Sequence, residues 1–138
     1  MHDLAALAVG ATRDAAAIAR SRGVRAARLQ AIKADVVKNL GQRTLSASTI
    51  AIRHGVTPRY VSMLFESEPE SFSEYVLRQR IVRAHRMLTD PRFDAWTVSS
   101  IAYDVGFGDV SYFNRVFRRL YGATPSDVRE AARRENEG

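Results

Sequence analysis

The chain has 138 residues, 46% of them hydrophobic and 26% charged, which fits one compact domain or two small ones and excludes wholesale disorder. It has no cysteine, so disulfide scaffolds, thiol nucleophiles and Cys-ligated zinc are excluded together. Of its 21 basic residues only Lys33 and Lys38 are lysines, and with 15 acidic residues the net charge is +6, a balance that suits nucleic acid most often, an anionic membrane or no specific partner otherwise.

Residues 1–24 read as an alanine-rich helical lead-in or linker remnant. Leu4, Leu7 and Ile18 give it a thin apolar face, Arg13, Arg20 and Arg22 its charge, and Gly10 and Gly23 punctuate it. Over residues 25–40, Leu29, Ile32, Val36 and Leu40 recur at helical spacing until Gly41 stops them. Ser46 caps a helix through Ile52, and Thr57 with Pro58 opens another to about residue 66. Ser71 and Glu74 form a capping box that starts a long helix to Leu88, ended by Asp90-Pro91. Thr97 caps a helix through Ala102, Asp109 one through Tyr121, and Thr124 a last one running into a charged tail at 135–138. No segment alternates with period two, so the expected fold is all-α.

Two stretches repeat about 51 residues apart. Ile50-Ala51 is followed by Gly55, then Tyr60-Val61 and Leu64-Phe65; Ile101-Ala102 is followed by Gly106, then Tyr112-Phe113 and Val116-Phe117. A small residue lets a second helix cross closely, and a glycine between the helices turns the chain sharply. Each copy is therefore a helix-turn-helix unit whose second helix turns its polar face outward. The units span about 46–66 and 97–121, and the helix of about 72–88 joins them.

Residues 43–130 resemble the DNA-binding domain of the AraC/XylS family of transcription regulators. The resemblance is carried by Ile101-Ala102, Gly106-Phe107, Ser111-Tyr112-Phe113, Arg115-Val116-Phe117-Arg118, Gly122-Ala123-Thr124-Pro125 and Arg129, with Tyr75-Val76, Arg80-Ile81, Ala84 and Leu88 matching the connecting helix. It implies a seven-helix domain over residues 25–134, in which two helix-turn-helix subdomains are joined by a linker helix. It also implies a cytoplasmic, nucleoid-associated regulator whose partner is double-stranded DNA, with RNA polymerase as a further partner. Many family members carry an N-terminal effector or dimerisation domain. The lead-in is too short for one, so neither a small-molecule effector nor a cofactor is expected in this chain, and it reads as a stand-alone regulator or, on its alanine-rich start, a fragment.

On the recognition helices the resemblance assigns Arg59, Ser62 and Met63, and Ser111, Tyr112 and Arg115, to base contacts. Apolar spacing agrees, since Tyr60, Val61, Leu64 and Phe65, and Phe113, Val116 and Phe117, face inward. Arg115 suits a bidentate contact to guanine, with a phosphate contact or a solvated side chain as its alternative. Arg59 is a base reader or a phosphate clamp, Met63 a shape reader or a packing residue, and Tyr112 is half core. Asp109 fits a helix cap better than a base reader. Phosphate contacts are assigned to Ser46, Thr57 and Thr97 at helix N-termini, to Asn114, and to Arg53, Arg118 and Arg119, the last three with a plain solvated face as the alternative.

Two other classes compete. His2, His54 and His85 are far apart in sequence, and no catalytic or metal-binding motif occurs, so an enzyme is not expected and no metal is assigned. A helical protein-interaction module without its own DNA specificity is the alternative. No run reaches the ~18–20 apolar residues of a membrane helix, and the N-terminus lacks the pattern of a secretory signal.

Overall fold

The computed structural model describes the backbone of residues 2–138 and the side chains of residues 10–138, so His2, Leu4 and Leu7 lie outside the described side chains. Its α-helices are α1 (His2–Lys38), α2 (Ala47–His54), α3 (Pro58–Leu64), α4 (Phe72–Leu88), α5 (Val98–Asp104), α6 (Val110–Tyr121) and α7 (Pro125–Glu137). Short 3₁₀ turns follow α3 at Phe65–Ser67 and α4 at Pro91–Phe93. No strand occurs among the described residues, as the absence of period-two patterning requires.

The N-terminal third departs from expectation. The lead-in and the helix of 25–40 are one continuous rod, and Gly23 does not divide them. A glycine inside a helix costs only about 1 kcal/mol relative to alanine, and the alanines and arginines around Gly23 are among the strongest helix formers. A Cβ on Gly10 or Gly23 would meet nothing within 4 Å, so no packing forces a bend there. At the other end α7 runs through Glu137, so most of the expected tail is helical.

The starts of α2 to α7 lie at their expected caps. Ser46 Oγ accepts from the Thr49 amide at 3.2 Å, Thr57 Oγ1 from Tyr60 at 3.0 Å, and Thr97 Oγ1 from Ser100 at 3.0 Å. Ser71 Oγ accepts from the Glu74 amide at 3.2 Å, while the Glu74 carboxylate accepts from the Ser71 amide at 3.3 Å. Asp109 accepts from the Ser111 and Tyr112 amides, and Thr124 from Asp127. Each such cap stabilises its helix by about 1 kcal/mol.

Two cores form around the two units. The first gathers Leu29, Ile32 and Val36 of α1 and Leu40 just beyond it with Ile50, Ala51, Val61, Leu64 and Phe65. The second gathers Ile101, Ala102, Val105, Phe107, Phe113, Val116 and Phe117. α4 belongs to both. Phe72, Tyr75 and Val76 at its start enter the first core, and Ile81, Ala84, Met87 and Leu88 at its end enter the second.

Arginines of α4 also close the C-terminal end of α1. Arg80 Nε donates to the Leu40 carbonyl at 3.0 Å and Nη2 to the Gln42 carbonyl at 2.9 Å; Arg83 Nη2 donates to Val37 at 2.8 Å. These carbonyls lie at or just beyond the helix end, where intrahelical partners run out. Burial pushes the Arg80 guanidinium below the usual arginine range. In the second unit, Arg129 of α7 is 7% exposed and donates to the carbonyls of Trp96 at 2.6 Å and Phe93 at 2.8 Å, fixing the loop that leads into α5.

Candidate nucleic-acid interface

Each unit turns between its helices on a glycine in left-handed backbone. Gly55 has φ 65° and ends α2; Gly106 has φ 107° and lies just beyond α5. The turns set α3 against α2 and α6 against α5, and the burial pattern then divides each second helix into two faces.

On α3, Val61 and Leu64 are buried, with Phe65 just beyond the helix, and Tyr60 packs against the same core. Arg59, Ser62 and Met63 are exposed, Met63 to 42%. On α6, Phe113, Val116 and Phe117 are buried, whereas Ser111, Tyr112, Asn114 and Arg115 are exposed. Tyr112 is 41% exposed and keeps a tilted ring contact with Phe107, centroids 6.1 Å apart. The Arg115 guanidinium lies over the Tyr112 ring at 5.8 Å, which couples two of the predicted base-contacting side chains before any ligand arrives.

The predicted phosphate-contacting residues divide. Arg118 and Arg119 in the last turn of α6 are exposed, as is Asn114. Arg53 is exposed as well but is ion-paired, its Nε 3.5 Å from Asp35 Oδ2. The hydroxyl oxygens of Ser46, Thr57 and Thr97 each accept an amide as caps, which satisfies one backbone N–H at each of those helix ends. Asp109 is the cap of α6 and holds the amides of Ser111 and Tyr112.

His54 and His85 have structural neighbours, and His2 lies outside the described side chains. His54 Nε2 is 2.8 Å from Asp35 Oδ2, and His85 stacks on Tyr121 with ring centroids 4.3 Å apart. Periodicity pointed to none of the internal arginine bonds of Arg80, Arg83 and Arg129, because each joins residues more than thirty positions apart. Arg80 and Arg129 stand inside the motif, yet the motif alone does not reveal that they bind backbone carbonyls.

Comparisons with known proteins agree with this geometry. A family profile described as a helix-turn-helix domain matches residues 50–131. The transcriptional activator RhrA of Rhizobium meliloti is 41% identical over 105 residues, covering 76% of this chain and 33% of that protein. The regulatory protein PocR of Salmonella typhimurium is 38% identical over 76 residues, covering 54% of this chain and 24% of that protein. The chain thus spans a third or less of the length of these relatives. The solved DNA-binding domain of AdpA, a global transcriptional factor in complex with a target DNA, shares the fold with a TM-score of 0.69 at 23% identity, covering 80% of this chain and 97% of that one.

Proposed function

The chain belongs to the AraC/XylS family of helix-turn-helix regulators, and on that premise we propose that it is a sequence-specific DNA-binding regulator of transcription. The observation that carries the reading is the matched pair of faces on α3 and α6. In both helices the apolar stripe is sealed in a core while Arg59, Ser62 and Met63, or Ser111, Tyr112 and Arg115, stand in solvent.

In this reading α3 and α6 enter successive major grooves on one face of the duplex, about 34 Å apart. The six exposed side chains meet base edges, Arg115 by a bidentate contact to guanine. Asn114, Arg118, Arg119, Arg53 and the backbone N–H groups behind Ser46, Thr57 and Thr97 meet phosphates, which set register without reading sequence. Because α4 is packed into both cores, either the DNA bends to meet the protein or one unit binds loosely. Bending ~20–30 base pairs by 40° or more costs on the order of 1–6 kcal/mol, so sequence also acts through deformability.

The protein acts in this reading as a binding protein and not as an enzyme, in the cytoplasm on the nucleoid. RNA polymerase is the proposed protein partner, as membership of this family implies.

Selection of binding sites from random DNA, followed by gel shifts at two salt concentrations, tests the proposal. The expected result is a bipartite site and an affinity that falls steeply with salt, by about 0.9 log units per log unit for each phosphate neutralised. Failure to enrich any sequence, with binding indifferent to salt, overturns it in favour of a protein-interaction module.

A further inference from the structure

The positive charge of this chain is unevenly placed. Residues 10–28 carry Arg13, Arg20, Arg22, Arg25 and Arg28 against Asp14 alone, a net +4 out of +6 for the whole sequence. Residues 29–138 hold 16 basic and 13 acidic groups, a net +3, and many of those cations are occupied. Arg80, Arg83, Arg129 and Arg133 donate to backbone carbonyls, and Lys33, Arg78 and Arg92 pair with Glu68, Glu70 and Asp90. From Ala11 to Arg28, by contrast, every side chain of α1 is exposed.

This exposed stretch runs beside the first recognition helix. Arg22, Arg25 and Leu29 of α1 form one wall of an open groove of about 740 Å³, and Met63, Glu66 and Glu68 contribute to the other. Met63 is one of the three side chains of α3 proposed to face bases, so the two arginines lie at the edge of that face. Next along α1, the Arg28 guanidinium lies over the Tyr60 ring of α3 at 5.5 Å, which ties the rod to the recognition helix. Glu68 is already engaged by Lys33, and neither Arg22 nor Arg25 has an ion-pair partner among the described residues. Helical periodicity puts Arg22 and Arg25 on the side of Leu29, whereas Arg13 and Arg20, seven residues apart, share a different face.

We infer that α1 is a third DNA-contacting element, in which Arg22 and Arg25 hold phosphates of the strand flanking the major groove that α3 enters. The inference rests on the DNA-binding reading above and adds a site to it. The guanidinium fork matches a phosphate geometrically, and a helical stem presents both forks without the ordering cost of a flexible arm. The contact carries no base information, so it raises affinity for all sequences and lengthens the footprint on the side of the first half-site.

The experiment measures binding of the full chain to its selected operator and to a random duplex across a salt series. It compares the wild type with the double variant Arg22→Ala/Arg25→Ala and with Arg13→Ala/Arg20→Ala, which removes the same charge from the other face. All four positions are exposed, and circular dichroism checks that each variant folds. In the first double variant the slope of log affinity against log salt is expected to fall by about 1.8, two phosphates at about 0.9 each. The ratio of operator to random binding stays unchanged, and protection is lost on one flank. The second variant is expected to keep the wild-type slope.

Equal losses in both double variants overturn the inference, since net charge alone then explains the effect. An unchanged slope in Arg22→Ala/Arg25→Ala, with the wild type still selecting its operator, overturns it and leaves the DNA-binding reading intact. Sedimentation without DNA covers the remaining occupant: a wild-type dimer that this variant dissociates, with no change in slope, assigns the groove to a second copy of the chain and overturns it too. A wild type that selects no operator is instead a failure of the DNA-binding reading itself.

Discussion

Gly106 lies so close to Leu40 that a methyl group added to it would stand 2.2 Å from the Leu40 carbonyl oxygen, and 2.7 Å from Arg80 Nε. This contact joins the turn of the second unit to the segment just beyond the rod that packs the first. Glycine is required there twice over, for its φ of 107° and for the missing side chain.

The two turn glycines therefore differ in what a methyl group costs. Gly55, with φ 65°, has open space where its Cβ would go, so Gly55→Ala carries only the left-handed backbone penalty, about 1–2 kcal/mol. Gly106→Ala adds a clash with backbone and is expected to cost at least about twice as much. Urea denaturation of both variants checks this; equal losses would show that the junction yields freely.

Arg80→Ala removes the donor from the part-buried carbonyl of Leu40 and the exposed one of Gln42. Hydrogen bonds to a charged group contribute about 1.5–3 kcal/mol, and a loss of that order is expected by denaturation. Through Leu40 the same joint abuts Gly106 of the second unit, so it braces the two units against each other. On operators whose half-sites are moved apart by a base pair or two, the variant should therefore discriminate less than the wild type. A spacing profile identical to wild type, in a variant that is less stable, would separate Arg80 from the geometry of the pair.

These two cases show what could be read in the sequence and what could not. The capped starts at Ser46, Thr57, Ser71, Thr97, Asp109 and Thr124 were legible because a cap is a bond within three residues, and local chemistry decides it. The outward faces of α3 and α6 were legible because burial repeats with the helical period. Gly23 misled because punctuation by glycine is a weak signal against a run of alanine and arginine. The arginine-to-carbonyl bonds of Arg80 and Arg129 were invisible. They leave no periodic trace, and a solvated arginine looks the same on paper. The groove between Arg22 and Met63 depends on α1 being unbroken, so it disappears once the rod is divided.

Arg115 and Arg118 lie on α6 three residues apart, and the proposal gives them different work. Arg115→Ala is expected to relax preference at one base pair, where a bidentate contact is worth about 1–3 kcal/mol of discrimination. Arg118→Ala should weaken every sequence alike and lower the salt slope by about one. Binding to a set of single-base operator variants checks both; indistinguishable profiles would remove the assignment of the second recognition helix.

Burial holds the His85 imidazole below the ordinary histidine value, against Tyr121 and Phe117. The sign follows from which state takes the proton first. As pH falls through about 6.5 the unfolded chain protonates while the folded chain resists, so this stability is complete above that pH and is lost as pH falls toward the folded value. His85→Phe keeps a ring on Tyr121 and removes the titration. The drop in Tm between about pH 7 and about pH 5.5 should be smaller in the variant than in the wild type. Equal drops would assign the acid sensitivity elsewhere.

The sharing of α4 by both cores has a consequence for how this architecture tolerates change in length. A helix advances about 100° and about 1.5 Å per residue. One residue inserted between Val76 and Ile81, ahead of Arg80, would rotate the whole distal half by that angle and pull Arg80 off its carbonyls. The stretch between those two side chains is a phase angle written into the chain, so side chains exposed at either end can be exchanged far more freely than the count of residues between them.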